Sequence, residues 1–325
     1  MNSRIRQRFF ADLFNKRRNL EVFLILSFAL VVLVIPFRLN SQKDKPFVVV
    51  YTSQDQIYAE PIFQEFTKQT GIKVRAVYDS EAVKTVGLVN RLIAEKNHPQ
   101  CDVFWNNEEL RTRQLAAQNI FRETKSWAAF GYRSRRIIVS ANFTHPPQNL
   151  LELTNEIWRG QVALAYPLFG STATHFLSLR QHLGNEKWKN WCRALQMNKP
   201  FLVDGNSVVA KFGRSYEVPV GLTDSDDITV ENRNGAHLKA LPINAETLLI
   251  PNPAAVIRNA LHPEAAEKLF LFLQSCEVVD KLVAANAIEG ASMDEVQTPT
   301  LKPDWEKLLA DLDVATKELK EIFLR

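Results

Sequence analysis

Val218-Pro219-Val220-Gly221-Leu222-Thr223-Asp224-Ser225-Asp226-Asp227 reads as a short apolar strand that stops at three carboxylates and two hydroxyls. Ligands of open α/β sheets bind outside the carboxyl ends of strands, where loops converge on a crevice. Three aspartates within four positions repel one another unless they are solvated, paired or bound to a cation. A solvated acidic turn is the plainer reading, because Asp and Ser are ordinary turn residues. The neighbouring sequence weighs between the two.

Upstream, Phe47-Val48-Val49-Val50-Tyr51 is a continuous apolar run typical of a strand buried on both faces. It breaks at Thr52-Ser53-Gln54-Asp55, and a helix follows with Ile62, Phe63 and Phe66 on one face and Gly71 just past its end. Ile72–Tyr78 predicts a second strand, 82–96 a helix, and Asp102–Trp105 a third strand ending in Asn106-Asn107. Ile137–Ser140 and Val162–Ala165 predict further strands, and Ser171-Thr172 opens a helix that ends near Gly184. Asp204-Gly205-Asn206 turns into Ser207, the cap of a short helix. Strand–helix alternation of this kind predicts doubly wound, largely parallel sheets.

The 325 residues suffice for two domains or lobes. The formal net charge of +4 misleads, because Arg4, Arg6, Arg8, Lys16, Arg17 and Arg18 all precede the first long apolar run. The remainder is near neutral, which argues against a nucleic-acid surface. Val22–Phe37 is free of charge and follows that basic tip, so it reads as a signal peptide or short signal anchor, with everything beyond about residue 40 exported. An uncleaved anchor in the cytoplasmic membrane is the favoured form. Cys101, Cys192 and Cys276 are odd in number and far apart, neither a disulfide framework nor a metal motif.

Four loops share one character: Thr52-Ser53-Gln54, Asn106-Asn107, Gly170-Ser171-Thr172 and Thr223 to Asp227. Each follows an apolar strand and opens or adjoins a helix. Hydroxyls, amides and helix N-terminal N–H groups make an anion-binding surface that needs no cationic side chain. Together with the carboxylates they suit a hard cation held with an anion.

Val48 to Ser53 with Phe66-Thr67-Lys68-Gln69-Thr70-Gly71-Ile72-Lys73-Val74 resembles the solute-binding proteins of bacterial ABC importers, in extracellular solute-binding family 1 and its ferric-iron-binding branch. Cys101-Asp102-Val103-Phe104-Trp105, Phe169 to His175, Asp204 to Ala210 and Val220 to Asp224 match that branch in the same order. The resemblance implies a two-lobed α/β periplasmic-binding-protein fold (type II), each lobe a doubly wound sheet, preceded by the N-terminal membrane segment. On that basis residues 43–139 plus 246–325 form lobe 1 and 140–245 lobe 2, with crossings near Ile137–Asn142 and Ala240–Leu249 and residues 1–42 as tip, membrane segment and linker. The implied protein is a monomeric, periplasmic or membrane-tethered binder with no catalytic residues and no covalent cofactor. It traps a small solute, first of all ferric iron with an anion, and delivers it to permease subunits.

The implied solute contacts are Ser53, Gln54, Trp105, Asn106, Gly170, Ser171, Thr172, Asn206, Ser207, Thr223, Asp224 and Asp227, with Asp224 and Asp227 as metal ligands. The ferric branch places adjacent tyrosines where this chain has Thr223 to Asp227, so carboxylates and water become the expected oxygen ligands. Other cargoes stay open: a different oxyanion, or a polar organic such as a phosphonate, a polyamine or a thiamine-like molecule. A receptor ectodomain and a metal-dependent hydrolase are competing readings, although no G-x-S-x-G, H-E-x-x-H or paired His occurs.

Overall fold

In the computed structural model, which describes residues 45–79, 86–215 and 218–324, the first apolar run forms β1 (Phe47–Thr52). It pairs in parallel with β2 (Lys73–Tyr78) on one side and β3 (Val103–Trp105) on the other. Helices α1 (Gln56–Thr70), α2 (Val86–Ala94) and α3 (Glu109–Ala117) link or follow these strands. Strand β4 (Trp127–Ser140) comes next, then β5 (Val162–Ala165), α4 (Gly170–Leu183), α5 (Asn185–Met197), β6 (Phe201–Val203), α6 (Asn206–Ser215), β7 (Val220–Asp224), α7 (Ser225–Arg233) and β8 (Leu238–Ala240). Strand β9 (Leu249–Val256) precedes helices α8 (Pro263–Leu273), α9 (Cys276–Ala284) and α10 (Trp305–Phe323).

The strands lie in the order β2-β1-β3-β9-β4-β7-β5-β6, with β8 also paired to β4. Strand β4 is the element the sequence understates, since only its last four residues carry a plain apolar signal. Its first part, Trp127 to Ser134, runs antiparallel to β9, and its second part, Arg135 to Val139, runs antiparallel to β7. One strand therefore serves two halves of the sheet, and the passage falls at Ser134/Arg135 rather than in Ile137–Asn142. The register of β4 on β9 shifts between Ala129 and Tyr132, a bulge centred on Gly131 at φ +65°. A Cβ on Gly131 would sit 2.4 Å from Ile288 Cδ1 and 3.1 Å from the Gly290 carbonyl oxygen. Gly131→Ala is accordingly expected to cost about 1–3 kcal/mol in urea unfolding, from a positive φ and overpacking together. A change below 0.5 kcal/mol (about the scatter of surface substitutions) would mean the bulge relaxes.

Two main cores flank the sheet. Phe63, Phe66 and Trp105 pack with Leu269, Phe270 and Val278 beneath the first half. Phe176, Trp188, Trp191 and Leu195 fill the second. The C-terminal helix corrects the expected division: Leu308, Leu312, Ala315, Leu319 and Phe323 of α10 pack into that second core, not the first. Phe323 meets Phe176 edge-on at 5.9 Å, and Arg180 on α4 pairs with Asp311 at 2.5 Å. The amphipathic stripe is satisfied there because α4 and α5 offer aromatic surface. Among the described residues no helix is long and apolar enough to cross a membrane. The basic tip and Val22–Phe37 lie outside the described residues.

Candidate functional site

The register of β4 and β7 builds the site. Arg135 stands directly opposite Asp224 in the antiparallel ladder, so the pair is imposed by strand alignment. Arg133 lies two residues earlier and falls on the same face. Arg135 Nη1 reaches Asp224 Oδ1 at 2.6 Å and Asn206 Oδ1 at 2.8 Å, and its Nη2 donates to the Leu222 carbonyl at 3.3 Å. Arg133 spans two carboxylates, with Nη2 3.0 Å from Asp224 Oδ2 and Nη1 2.8 Å from Asp226 Oδ2, and it also donates to the Asn107 carbonyl at 3.1 Å. Ser171 Oγ at 2.7 Å and Asn206 Nδ2 at 3.2 Å complete the shell of Asp224 Oδ2. Thr223 Oγ1 lies 2.9 Å from Asp227 Oδ2.

Burial alone would push the Asp224 carboxyl up, but the Arg133 and Arg135 guanidiniums outweigh it and hold Asp224 below its ordinary value. Burial likewise works against the Arg133 charge, and Asp226 and Asp224 overcome it, so Arg133 stays protonated. The three aspartates end up buried and close: each offers one oxygen, and these lie within 4.8 Å of one another. Repulsion between them is relieved by arginines. The expected surface without cationic side chains is thus corrected, because two buried arginines sit among the acidic loops.

A cleft of about 440 Å³, open to solvent, lies over this cluster. Its walls are Arg133, Asn107 and the residues at three helix starts: Gly170, Ser171 and Thr172 on α4, Asp204 and Gly205 before α6 with Asn206 as its first residue, and Asp224, Asp226 and Asp227 before and on α7. Tyr166 and Phe169 close one side. Helix starts present unsatisfied N–H groups and a partial positive charge, which suits an anion or a polar oxygen.

Six expected contacts line this cleft: Gly170, Ser171, Thr172, Asn206, Asp224 and Asp227. Six stand behind it. Ser53 Oγ lies 2.5 Å from Asn106 Oδ1 and 3.0 Å from Asn107 Oδ1, so Ser53 and Asn106 buttress Asn107. Gln54 Nε2 donates to Asn252 Oδ1 at 3.0 Å. Thr223 bonds the Asn206 carbonyl at 2.8 Å, and Ser207 is half-buried on α6. Trp105 is the clearest correction. At 0% exposure it packs on Phe63 and Phe130 in the core, because β3 is buried on both faces. His175 is buried too, its Nε2 2.7 Å from the Glu246 carbonyl and its pKa lowered to about 3 by burial and then by Arg135. The residues missed are Arg133, Arg135, Asn107, Tyr166 and Phe169. The alternation in Arg133-Ser134-Arg135 before an apolar run was the available signal.

A model of bacterial extracellular solute-binding proteins matches residues 48–285. The major ferric iron-binding protein of Neisseria meningitidis serogroup A (strain Z2491) is 22% identical over 285 residues, which cover 79% of this chain and 84% of that protein. Iron-bound HitA from Pseudomonas aeruginosa superposes with a TM-score of 0.72 at 18% identity, over 85% of this chain and 99% of HitA. The periplasmic binding protein AfuA from Actinobacillus pleuropneumoniae, with fructose-6-phosphate bound, superposes with a TM-score of 0.73 at 17% identity, over 86% and 99% of the two chains. At these identities the likeness is one of fold.

Proposed function

The chain belongs to the bacterial extracellular solute-binding proteins, and from that premise we propose that it captures a small solute between two lobes and hands it to the permease of an ABC importer. The lobes are the two halves of the sheet, joined by β4 and β9, and the site is the cleft over Asp224. On this reading the site binds its solute and does no chemistry on it. The protein works at the outer face of the cytoplasmic membrane, with Val22–Phe37 as leader or anchor.

The cargo we propose is a ferric ion carried with an anion. The observation that carries it is the set of three clustered, buried carboxylates beside the starts of α4 and α6. Asp226 and Asp227 supply hard oxygen to the metal, while Ser171, Thr172 and Asn206 face the anion. The ferric proteins of Neisseria and Pseudomonas support this choice. One observation favours a second cargo. Arg133 and Arg135 already neutralise Asp224, and Arg133 also pairs with Asp226, which suits an oxyanion-bearing organic solute better than a bare metal. The sugar-phosphate complex of AfuA is consistent with that alternative.

A thermal-shift series with ferric citrate, phosphate, a phosphonate, fructose-6-phosphate, spermidine and thiamine separates the two. Ligand at a hundredfold over its Kd adds about 2.7 kcal/mol of stability. A ferric shift abolished by Asp227→Ala is the expected result. A shift with a phosphorylated organic alone, abolished by Arg133→Gln, selects the second cargo. Indifference to every compound rejects both.

A further inference from the structure

We propose that Tyr58 and Glu108 are closure residues, whose hydrogen bonds across the cleft hold its two sides together and slow solute release. The proposal rests on the solute-capture reading, and one arm of its test does not. Tyr58 belongs to α1, where its ring is packed in the first-half core. Its hydroxyl crosses to the second half and donates to the Asp226 carbonyl at 3.2 Å, in a buried setting. The same Asp226 turns its carboxylate to Arg133 at the cleft.

Glu108 makes a matching contact elsewhere along the cleft. It is fully buried, and it caps α3 by accepting from the Leu110 and Arg111 amides at 2.8 and 3.0 Å. Its Oε2 also accepts from Thr174 Oγ1 on α4 at 3.1 Å. Glu108 follows Asn107, and Thr174 lies two residues past Thr172; both neighbours line the cleft. The Tyr58 bond therefore ties α1, which packs in the first-half core, to the start of α7 at the cleft, and the Glu108 bond ties the start of α3, beside Asn107, to α4. Such bonds exist only when the two halves are together, so losing one speeds release and leaves association nearly unchanged.

Tyr58→Phe and Thr174→Val remove one hydroxyl each and keep the packing. Hydrogen exchange of the full chain, with and without ferric citrate, is the test. Without ferric citrate, exchange across residues 105–112 and 170–176 is expected to quicken about twofold to tenfold while the strands stay unchanged, and Thr174→Ser is expected to restore the wild-type rate. With ferric citrate, the release rate rises by a similar factor. Unchanged exchange in both variants overturns the proposal, and so does equal acceleration everywhere, which marks a merely structural contact. A wild type that ignores ferric citrate overturns the ferric reading instead, and the exchange rates then decide this one alone.

Discussion

Replacing Arg135 with alanine is expected to lower the unfolding free energy by about 3–5 kcal/mol, because it strips a buried carboxylate of a buried partner. Arg135 is 1% exposed and Asp224 2%, so water cannot substitute for the lost guanidinium. Arg133 alone would then face Asp224 and Asp226 together, and the Asn206 and Leu222 oxygens would lose a donor. Pairing Arg135→Ala with Asp224→Asn should recover part of the loss, since the uncompensated charge goes with it. Urea unfolding of the three variants measures this. A single-variant loss below 1 kcal/mol would show that the pair breaks even against its desolvation.

The same cluster sets an acid limit. Asp224 has its folded pKa held below the unfolded value of about 3.9. Its pairing is therefore fully present above that value and is lost as pH falls through the lower folded one. Asp224→Asn should flatten the dependence of stability on pH below about 4 and leave the neutral range flat.

Trp105→Ala is expected to cost a similar amount, about 3–5 kcal/mol, for a different reason: it opens a cavity in a close-packed core. The indole meets Phe63 at 5.6 Å in an edge-on contact and Phe130 at 6.4 Å. No atom of it lines the cleft, so solute affinity of the fraction that folds should be unchanged. Trp105→Phe should cost less, as Phe keeps most of the volume and removes an indole N–H that has no hydrogen-bond partner among the described residues. A large loss of affinity with intact stability would return Trp105 to the site.

Elements with a strong apolar period were legible in the sequence. Val48 to Tyr51, Val103 to Trp105 and Val162 to Ala165 are strands because nothing else buries such runs on both faces. The first part of β4 was not legible. Trp127-Ala128-Ala129-Phe130-Gly131-Tyr132-Arg133-Ser134 mixes small, aromatic and charged residues, and its pairing is set by β9, more than a hundred residues away. Of β9 only the start was legible: Thr247 to Pro251 reads as extended, and Pro251 and Pro253, which ordinarily argue against a strand interior, hide the rest. The site was half legible for the same reason. Local chemistry pointed to Ser171, Asn206 and Asp224, but the arginines that answer the aspartates arrive through long-range strand register. Trp105 and Ser53 were misplaced because a strand end names a neighbourhood, and which side chain faces solvent depends on what packs beneath it.

The position of β9 between β3 and β4 governs how the chain assembles as it is made. When residues up to about 130 have emerged, β2, β1 and β3 are available, yet the neighbour of β3 is still more than a hundred residues from synthesis. An unpaired inner strand edge bearing Val103, Phe104 and Trp105 must wait for the intervening half to appear. Folding of the first half is then slow and non-local, whereas β5, α4, α5, β6, α6 and β7 can pair among themselves earlier. On the export proposed above, that delay keeps a half-built sheet threadable until β9 arrives.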